Sequence, residues 1–229
     1  MTRRIALVLA LFLLFPAARA ATVSELRDAE VAKALREALE VGVGNAVTKL
    51  GQENGFLGND TVRIPLPESV QKVESSMRKF GMGKQVDQLI ETMNRAAEQA
   101  VPEARKLLAN AARGLTIDDA KRILTGPDDA ATQYFRAHSE EQIAKRFLPI
   151  VARETKRLKL ADYYNKFANR GVALGLVREE DTDLDEYVTR KALDGLFVTL
   201  ADEEKAIRAD PLDSGKRLIR KVFGAVQPQ

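Results

Sequence analysis

Apolar positions recur at steps of three and four residues through most of the chain, as they do on one face of an α-helix. One such stripe covers residues 31–50 and is followed by Gly51, a residue type typical of helix C-termini. Another covers residues 86–111 and is followed by Gly114. Pro102 lies inside this second stripe, so we expect either a kink or the start of a new helix there.

Polar residues typical of helix N-termini precede several of the later stripes. Thr116 with Asp119 predicts the start of a short helix that Gly126 ends. Residues 139–142 (Ser-Glu-Glu-Gln) and 183–186 (Asp-Leu-Asp-Glu) both have the spacing of a capping box, so we expect helices to begin at these two places. Further apolar stripes of helical spacing cover residues 158–176 and 212–223.

Residues 51–67 lack the helical period. Glycine and proline are frequent there, and Val62, Ile64 and Leu66 alternate with other residues at a period of two. We expect an irregular loop or a short β-hairpin near residues 55–67, with any strand confined to a sheet edge by the prolines. Because no repeat or flexible linker divides the chain, the predicted fold class is all-α, a single-domain helical bundle over residues 21–229.

The N-terminus has the three parts of a secretory signal peptide. Arg3-Arg4 is followed by an apolar run over residues 5–15 and then by Ala18-Arg19-Ala20, a site with small residues on either side of the arginine. A membrane-spanning helix needs about 20 apolar residues, so this run is too short to span. We predict a signal peptide over residues 1–20, cleavage after Ala20 and a periplasmic protein. No cysteine follows the site, which excludes a lipid anchor.

Composition removes several classes of function. The chain has 36 Lys and Arg against 33 Asp and Glu, and loss of the three arginines in the predicted signal peptide leaves 33 of each. This balance gives no reason to expect a nucleic-acid partner. Zero cysteine and a single histidine exclude disulfides, a cysteine nucleophile, thiolate zinc sites and multi-histidine metal sites. We expect no metal and no cofactor.

One segment has the opening of a calcium-binding loop. Residues 181–185 carry aspartates at the first, third and fifth positions, as such loops do. Glu186 stands where the loop needs glycine, and Ala192 stands where it needs a bidentate glutamate. The pattern therefore favours a helix start over a calcium site.

Two segments combine polar side chains with small neighbours, the loop of residues 55–67 and the helix start at residues 126–136. Long structured loops are often functional, whereas aspartates at a helix start are also explained by capping and the helix dipole. His138 is the one histidine, which we expect in a turn between helices. Catalytic residues are unknown. The candidate binding residues are Asn59, Asp60, Arg63, Asp128, Asp129, Thr132, Tyr134 and Arg136.

Five motifs follow one another along the chain: Gly55-Phe56-Leu57-Gly58-Asn59, Ile64-Pro65-Leu66-Pro67-Glu68, Met93-Asn94-Arg95-Ala96-Ala97-Glu98, the stretch from Asp128 to Arg136, and Lys191-Ala192-Leu193-Asp194-Gly195-Leu196-Phe197. Together they resemble the bacterial exported family known as domain of unknown function 4197. The resemblance covers about residues 25–226. At position 127 the family's motif is expected to have a second glycine or a polar residue, whereas this chain has Pro127. The difference affects only the turn before the helix. The resemblance implies export and a single domain, but no reaction or cofactor.

Three functions remain open. The first is a non-enzymatic helical binding or interaction protein of the cell envelope with a protein or lipid partner. It is favoured by the missing nucleophile, phosphate-loop and metal motifs. The second is a hydrolase-like enzyme that uses the Asp128, Asp129 and Arg136 cluster. The third is a lipid-handling periplasmic protein, which needs an apolar cavity between helices. The basic amphipathic C-terminal stretch also suggests peripheral membrane contact.

Overall fold

The computed structural model of the protein describes residues 23–156, Tyr164 and residues 183–209. The helices are α1 (Val23–Gly51), α2 (Glu68–Met77), α3 (Gly83–Ala100), α4 (Ala104–Arg113), α5 (Ile117–Thr125), α6 (Ala130–Thr155) and α7 (Leu184–Ala209). These ranges contain helices and no strand, so the all-α fold class is confirmed. The predicted signal peptide and the stripe at residues 212–223 lie outside the described residues, as does all but Tyr164 of the stripe at residues 158–176.

Two short irregular segments join neighbouring α-helices. Residues Arg78–Met82 form a bend between α2 and α3, where Gly81 has a non-helical φ of +80°, and a 3-10 turn, Val101–Glu103, connects α3 to α4. Pro102 lies in the first turn of the 3-10 segment, where its missing N–H costs no hydrogen bond. Of the two predicted outcomes at this proline, the structure has the second, a new helix that begins at Ala104.

The predicted starts of α5 and α7 are confirmed by their hydrogen bonds. Thr116 Oγ1 accepts from the Asp119 N–H at 3.1 Å, and Asp119 Oδ2 accepts from the Thr116 N–H at 3.0 Å. This is a complete capping box. At α7, Asp183 Oδ1 accepts from the N–H groups of Asp185 and Glu186 at 2.8 and 3.2 Å. The carboxylate of Asp183 is thus used as a helix cap.

The predicted helix start at Ser139 is wrong, because α6 runs without interruption from Ala130 to Thr155. Ser139 is buried, and its hydroxyl donates to the carbonyl oxygen of Phe135 one turn earlier at 2.5 Å. A serine satisfied in this way can remain inside a helix. His138 therefore lies in the middle of α6 and not in a turn between helices, although it is exposed as expected.

The core lies where α6 packs against α3, α4 and α7, and where α1 packs against α4 and α7. Apolar stripes on these helices meet there, which is the arrangement that their sequence period predicts. Its largest fully buried side chains include Leu35, Leu50, Phe56, Met93, Leu108, Ile143, Phe147 and Phe197. No helix within the described ranges is both long and apolar enough to cross a membrane.

Candidate functional site

The buried side chain of Asn94 on α3 holds the part of the loop that directly precedes α2. Residues 62–66 alternate as predicted, with the even-numbered side chains buried and Arg63 and Pro65 exposed. The Ile64 N–H donates to Asn94 Oδ1 at 2.8 Å, and Asn94 Nδ2 donates back to the Ile64 carbonyl at 2.9 Å. The side-chain amide thus supplies the two hydrogen bonds that a neighbouring strand would give. The β-hairpin alternative is wrong, and the irregular loop is confirmed.

A second α3 side chain, Glu98, fixes the earlier part of the same loop. Its Oε1 accepts from the N–H groups of Phe56 and Leu57 at 3.0 and 3.1 Å, and its Oε2 accepts from Arg95 Nη1 at 2.7 Å. Glu98 is only 4% exposed, so its charge needs these partners. The motif at residues 93–98 therefore has a structural role in holding the loop.

The loop also packs closely against α7. A Cβ added at Gly195 would lie 2.7 Å from Cε1 of Phe56, closer than a real Cβ approaches another atom. Only glycine fits there, because the Phe56 ring is fully buried against the helix. Tyr187, two turns earlier on α7, donates its hydroxyl to the Pro65 carbonyl at 3.0 Å.

The N-terminus of α6 is capped from a distant part of the chain. Glu204 of α7 accepts from the N–H groups of Ala131 and Thr132 and from the Thr132 hydroxyl, each at 2.9 Å. Arg208 donates to the same carboxylate at 2.8 Å and to the Ile123 carbonyl at 2.8 Å. Thr132 is therefore buried in a structural network, which occupies its hydroxyl.

The other candidate residues at this helix start do not converge. Asp128 is exposed, and Asp129 accepts a hydrogen bond from Gln133 Nε2 at 2.9 Å. Arg136 lies two turns, about 10 Å, further along α6. Its guanidinium pairs with Glu140 at 2.9 Å and lies 4.5 Å from the Phe197 ring centroid.

The loop candidates lie apart from these aspartates. Asn59 Oδ1 accepts from the Thr61 N–H at 3.2 Å and so forms a local turn, while Asp60 and Arg63 are exposed. The loop contacts α7 at Gly195, and the start of α6 contacts α7 at Glu204. These points are nine residues, or about 14 Å, apart along the helix axis. The structure thus does not bring the loop and the aspartates at the start of α6 into one site, whereas Arg136 lies nearer the loop's level of α7, 3.7 Å from Asp194.

Tyr134 belongs to a different place, a cleft between α5 and α6 with a volume of about 500 Å³. Pockets of about 300–1,000 Å³ accept small ligands. We call this the α5–α6 cleft. Its lining residues are Asp119, Arg122, Ile123, Pro127, Ala130, Gln133, Tyr134 and His138.

An aromatic stack forms one wall of the α5–α6 cleft. The rings of Tyr134 and His138 are 4.0 Å apart and 26° from parallel. His138 Nδ1 lies 2.8 Å from the Tyr134 carbonyl oxygen. Because a carbonyl only accepts, Nδ1 carries the hydrogen, and in the neutral ring Nε2 is left as an acceptor.

The surroundings shift the pKa values of two ionisable groups of the cleft, Asp119 and Tyr134. Hydrogen bonds from the Thr116 hydroxyl and N–H, with help from Arg122, hold the pKa of Asp119 below its ordinary value. Burial, and then the charge of Asp119, raises the pKa of Tyr134. Both shifts lead away from neutral pH, where a general acid or base would have its pKa. The lining contains no serine, threonine or cysteine nucleophile.

The sequence patterns indicate little of this cleft. Tyr134 is the one candidate binding residue that lines it, whereas the pattern gives Asp119 only a capping role and does not single out Arg122. The available signal is the spacing of four between Tyr134 and His138, which places two rings on one helix face.

In the described part of the chain, no three His, Asp or Glu side chains group in a way that would hold a metal.

Comparison with known proteins gives one match. A family model described as a protein of unknown function (DUF4197) matches residues 25–224. The chain therefore belongs to this family, in agreement with the resemblance seen in its motifs. No curated protein and no solved structure matches the chain.

Proposed function

We propose that this member of the DUF4197 family is a non-enzymatic binding protein of the cell envelope that takes its ligand into the α5–α6 cleft. The observation that carries the proposal is the cleft itself, because its volume of about 500 Å³ suits a small ligand or the end of a peptide. Its walls are partly apolar and partly polar, which is the mixture that ligand pockets use to bind and orient.

The side chains of the cleft suit a ligand with an anionic group and a flat or apolar body. Arg122 has five N–H donors, and its side chain is 77% exposed while one of its terminal nitrogens pairs with Asp119. Its remaining donors can bind a carboxylate or phosphate. The stacked rings of Tyr134 and His138 offer a surface for the body of the ligand, and His138 Nε2 offers an acceptor.

The envelope location rests on the sequence of residues 1–20. The basic start, the short apolar run and Ala18-Arg19-Ala20 are typical of a cleaved signal peptide. N-terminal sequencing of the exported protein should begin at Ala21. A protein recovered from the cell with Met1 still attached would contradict this part of the proposal.

The geometry favours neither of the other two functions. A hydrolase would need Asp128, Asp129 and Arg136 to converge, whereas Asp128 is exposed and Arg136 pairs with Glu140. Lipid handling inside the bundle would need a sizeable apolar cavity. Among the described residues, two cavities that border α1 and α7 measure about 10 Å³ each, which is less than a lipid chain requires, and the mostly apolar hollow of about 470 Å³ between α6 and α7 is open to solvent and does not lie inside the bundle.

Native mass spectrometry of the protein isolated from its own envelope tests the proposal. Gln133→Trp fills the cleft from an exposed position, where it removes only the hydrogen bond to Asp129. Gln142→Trp is the matched control, since Gln142 is also exposed on α6 but does not line the cleft. We expect a bound mass on the wild type and on the control that is lost in Gln133→Trp. Retention of the same mass in Gln133→Trp, or no bound mass on the wild type, would contradict the proposal.

A further inference from the structure

The bend between α2 and α3 is an exposed feature that the proposed ligand site does not use. The bend Arg78–Met82 contains no buried residue. Gly81 has a φ of +80°, and a Cβ at this position would meet no atom within 4 Å. Helix α2 packs mainly on this turn and on α3. We call residues 77–85 the Phe80 tip.

Two large apolar side chains face solvent at the Phe80 tip. Phe80 is 82% exposed, and Met82, two residues further on, is 39% exposed. The other exposed large apolar side chains of the described residues lie between 37% and 41%. Leaving a phenylalanine this exposed forgoes the free energy that its burial would give, so a position of this kind often marks an interaction surface.

The charged residues within the Phe80 tip itself are all basic, and the two nearest carboxylates, Glu74 and Asp87, are paired with one of them. Residues 77–85 contain Arg78, Lys79 and Lys84 and no acidic residue. Arg78 is used within the fold, because it pairs with Glu74 at 2.8 Å and with Asp87 at 2.7 Å. These bonds connect α2 to α3 across the bend and hold its shape. The two lysines are exposed and form no ion pair with any described residue, so their charge is available to a partner.

We propose that the Phe80 tip inserts Phe80 and Met82 into the surface of an anionic phospholipid bilayer, with Lys79 and Lys84 against the lipid phosphates. Apolar residues at the end of a bend, flanked by lysines, match a surface whose headgroups are negative and whose interior is apolar. A groove on a partner protein would have to enclose the phenylalanine and also supply acidic groups on both sides of it. A bilayer supplies both features without any specific shape.

The absence of tryptophan from the chain gives a direct test of insertion. Phe80→Trp places the single indole at the tip, and Val198→Trp, at an exposed position of α7, is the matched control. All chains are prepared identically, so that any membrane affinity of residues 5–15 is the same in each. With vesicles of phosphatidylglycerol and phosphatidylcholine, the emission of Phe80→Trp should shift to shorter wavelength and be quenched by brominated lipid. The control should show neither change. Unchanged Phe80→Trp emission would overturn the proposal, as would an equal shift in the control.

Cosedimentation with the same vesicles tests the lysines. Lys79→Gln with Lys84→Gln should lower the partition coefficient about thirtyfold, given the usual contribution of a basic residue near an anionic surface. Lys49→Gln with Lys106→Gln removes two exposed lysines of α1 and α4 and should have little effect. Equal losses for the two double variants would contradict the proposal. So would a Phe80→Trp shift that needs envelope proteins and does not occur with lipid alone, since that result assigns the tip to a protein partner.

Discussion

The cap that Glu204 places on α6 predicts a large loss of stability from a single change of atom. In Glu204→Gln, one carboxylate oxygen becomes an NH₂ group. Whichever oxygen is replaced, a backbone N–H of Ala131 or Thr132 then faces a donor, since each oxygen accepts from one of them. Both residues are buried, so water cannot replace the lost acceptor.

The size of the loss follows from three contributions. An unsatisfied buried donor costs about 1–3 kcal/mol. Loss of negative charge at a helix N-terminus costs about 0.3–2 kcal/mol. The third contribution is the loss of the ion pair between Arg208 and Glu204. It is limited because Arg208 keeps its hydrogen bond to the Ile123 carbonyl. We therefore expect the free energy of unfolding to fall by about 3 kcal/mol.

Urea unfolding followed by far-ultraviolet circular dichroism measures this loss. Glu203→Gln is the matched control on the neighbouring residue, where the carboxylate accepts only an exposed hydrogen bond from Asn45 at 3.1 Å. The control should lose less than about 1 kcal/mol. If the two variants unfold at the same urea concentration, Glu204 does not act as the buried cap described here.

Three further changes test the other contacts that hold the fold. Asn94→Ala should cost about 3 kcal/mol in urea unfolding, because it leaves the buried N–H and carbonyl of Ile64 unpaired. Gly195→Ala should cost about 1–3 kcal/mol by the same measurement, because its methyl group overlaps the Phe56 ring; unaltered stability would contradict this packing. Asp119→Asn should cost about 1 kcal/mol at neutral pH. Since the folded pKa of Asp119 is lowered, its contribution is present above about pH 4 and is lost as the pH falls through that folded pKa, so melting curves of wild type and variant should converge in acid.

The parts of the fold that were predictable from the sequence depend on neighbours along the chain. The helix cap of Thr116 and Asp119 involves residues three apart, and a threonine followed by an acidic residue at that spacing is typical of a capping box. Ser139 shows the limit of the same rule. Its pattern matches a capping box, but its hydroxyl bonds Phe135 within a continuous helix. The local pattern does not distinguish these two outcomes, because both satisfy the serine.

The contacts that decide the candidate site join distant residues. Asn94 meets Ile64 across 30 positions, and Glu204 meets Ala131 across 73. No local period reveals such pairs, so the sequence does not distinguish Thr132, whose hydroxyl is used inside the fold, from a binding residue. The polar segment around Tyr134 indicates a binding residue, but its neighbours in the cleft come partly from α5. That part of the site could not be predicted without knowing how α5 and α6 pack against each other.

Site-specific crosslinking in the living cell tests whether a ligand binds in the α5–α6 cleft. A slender aliphatic diazirine amino acid, which is close to glutamine in width and leaves the cleft open, is incorporated in place of Gln133 at the cleft or, as the control, in place of Gln142 on the same helix. After irradiation, we expect one covalent product of defined mass from position 133 and none from position 142. No product at position 133, or the same product from both positions, would contradict it.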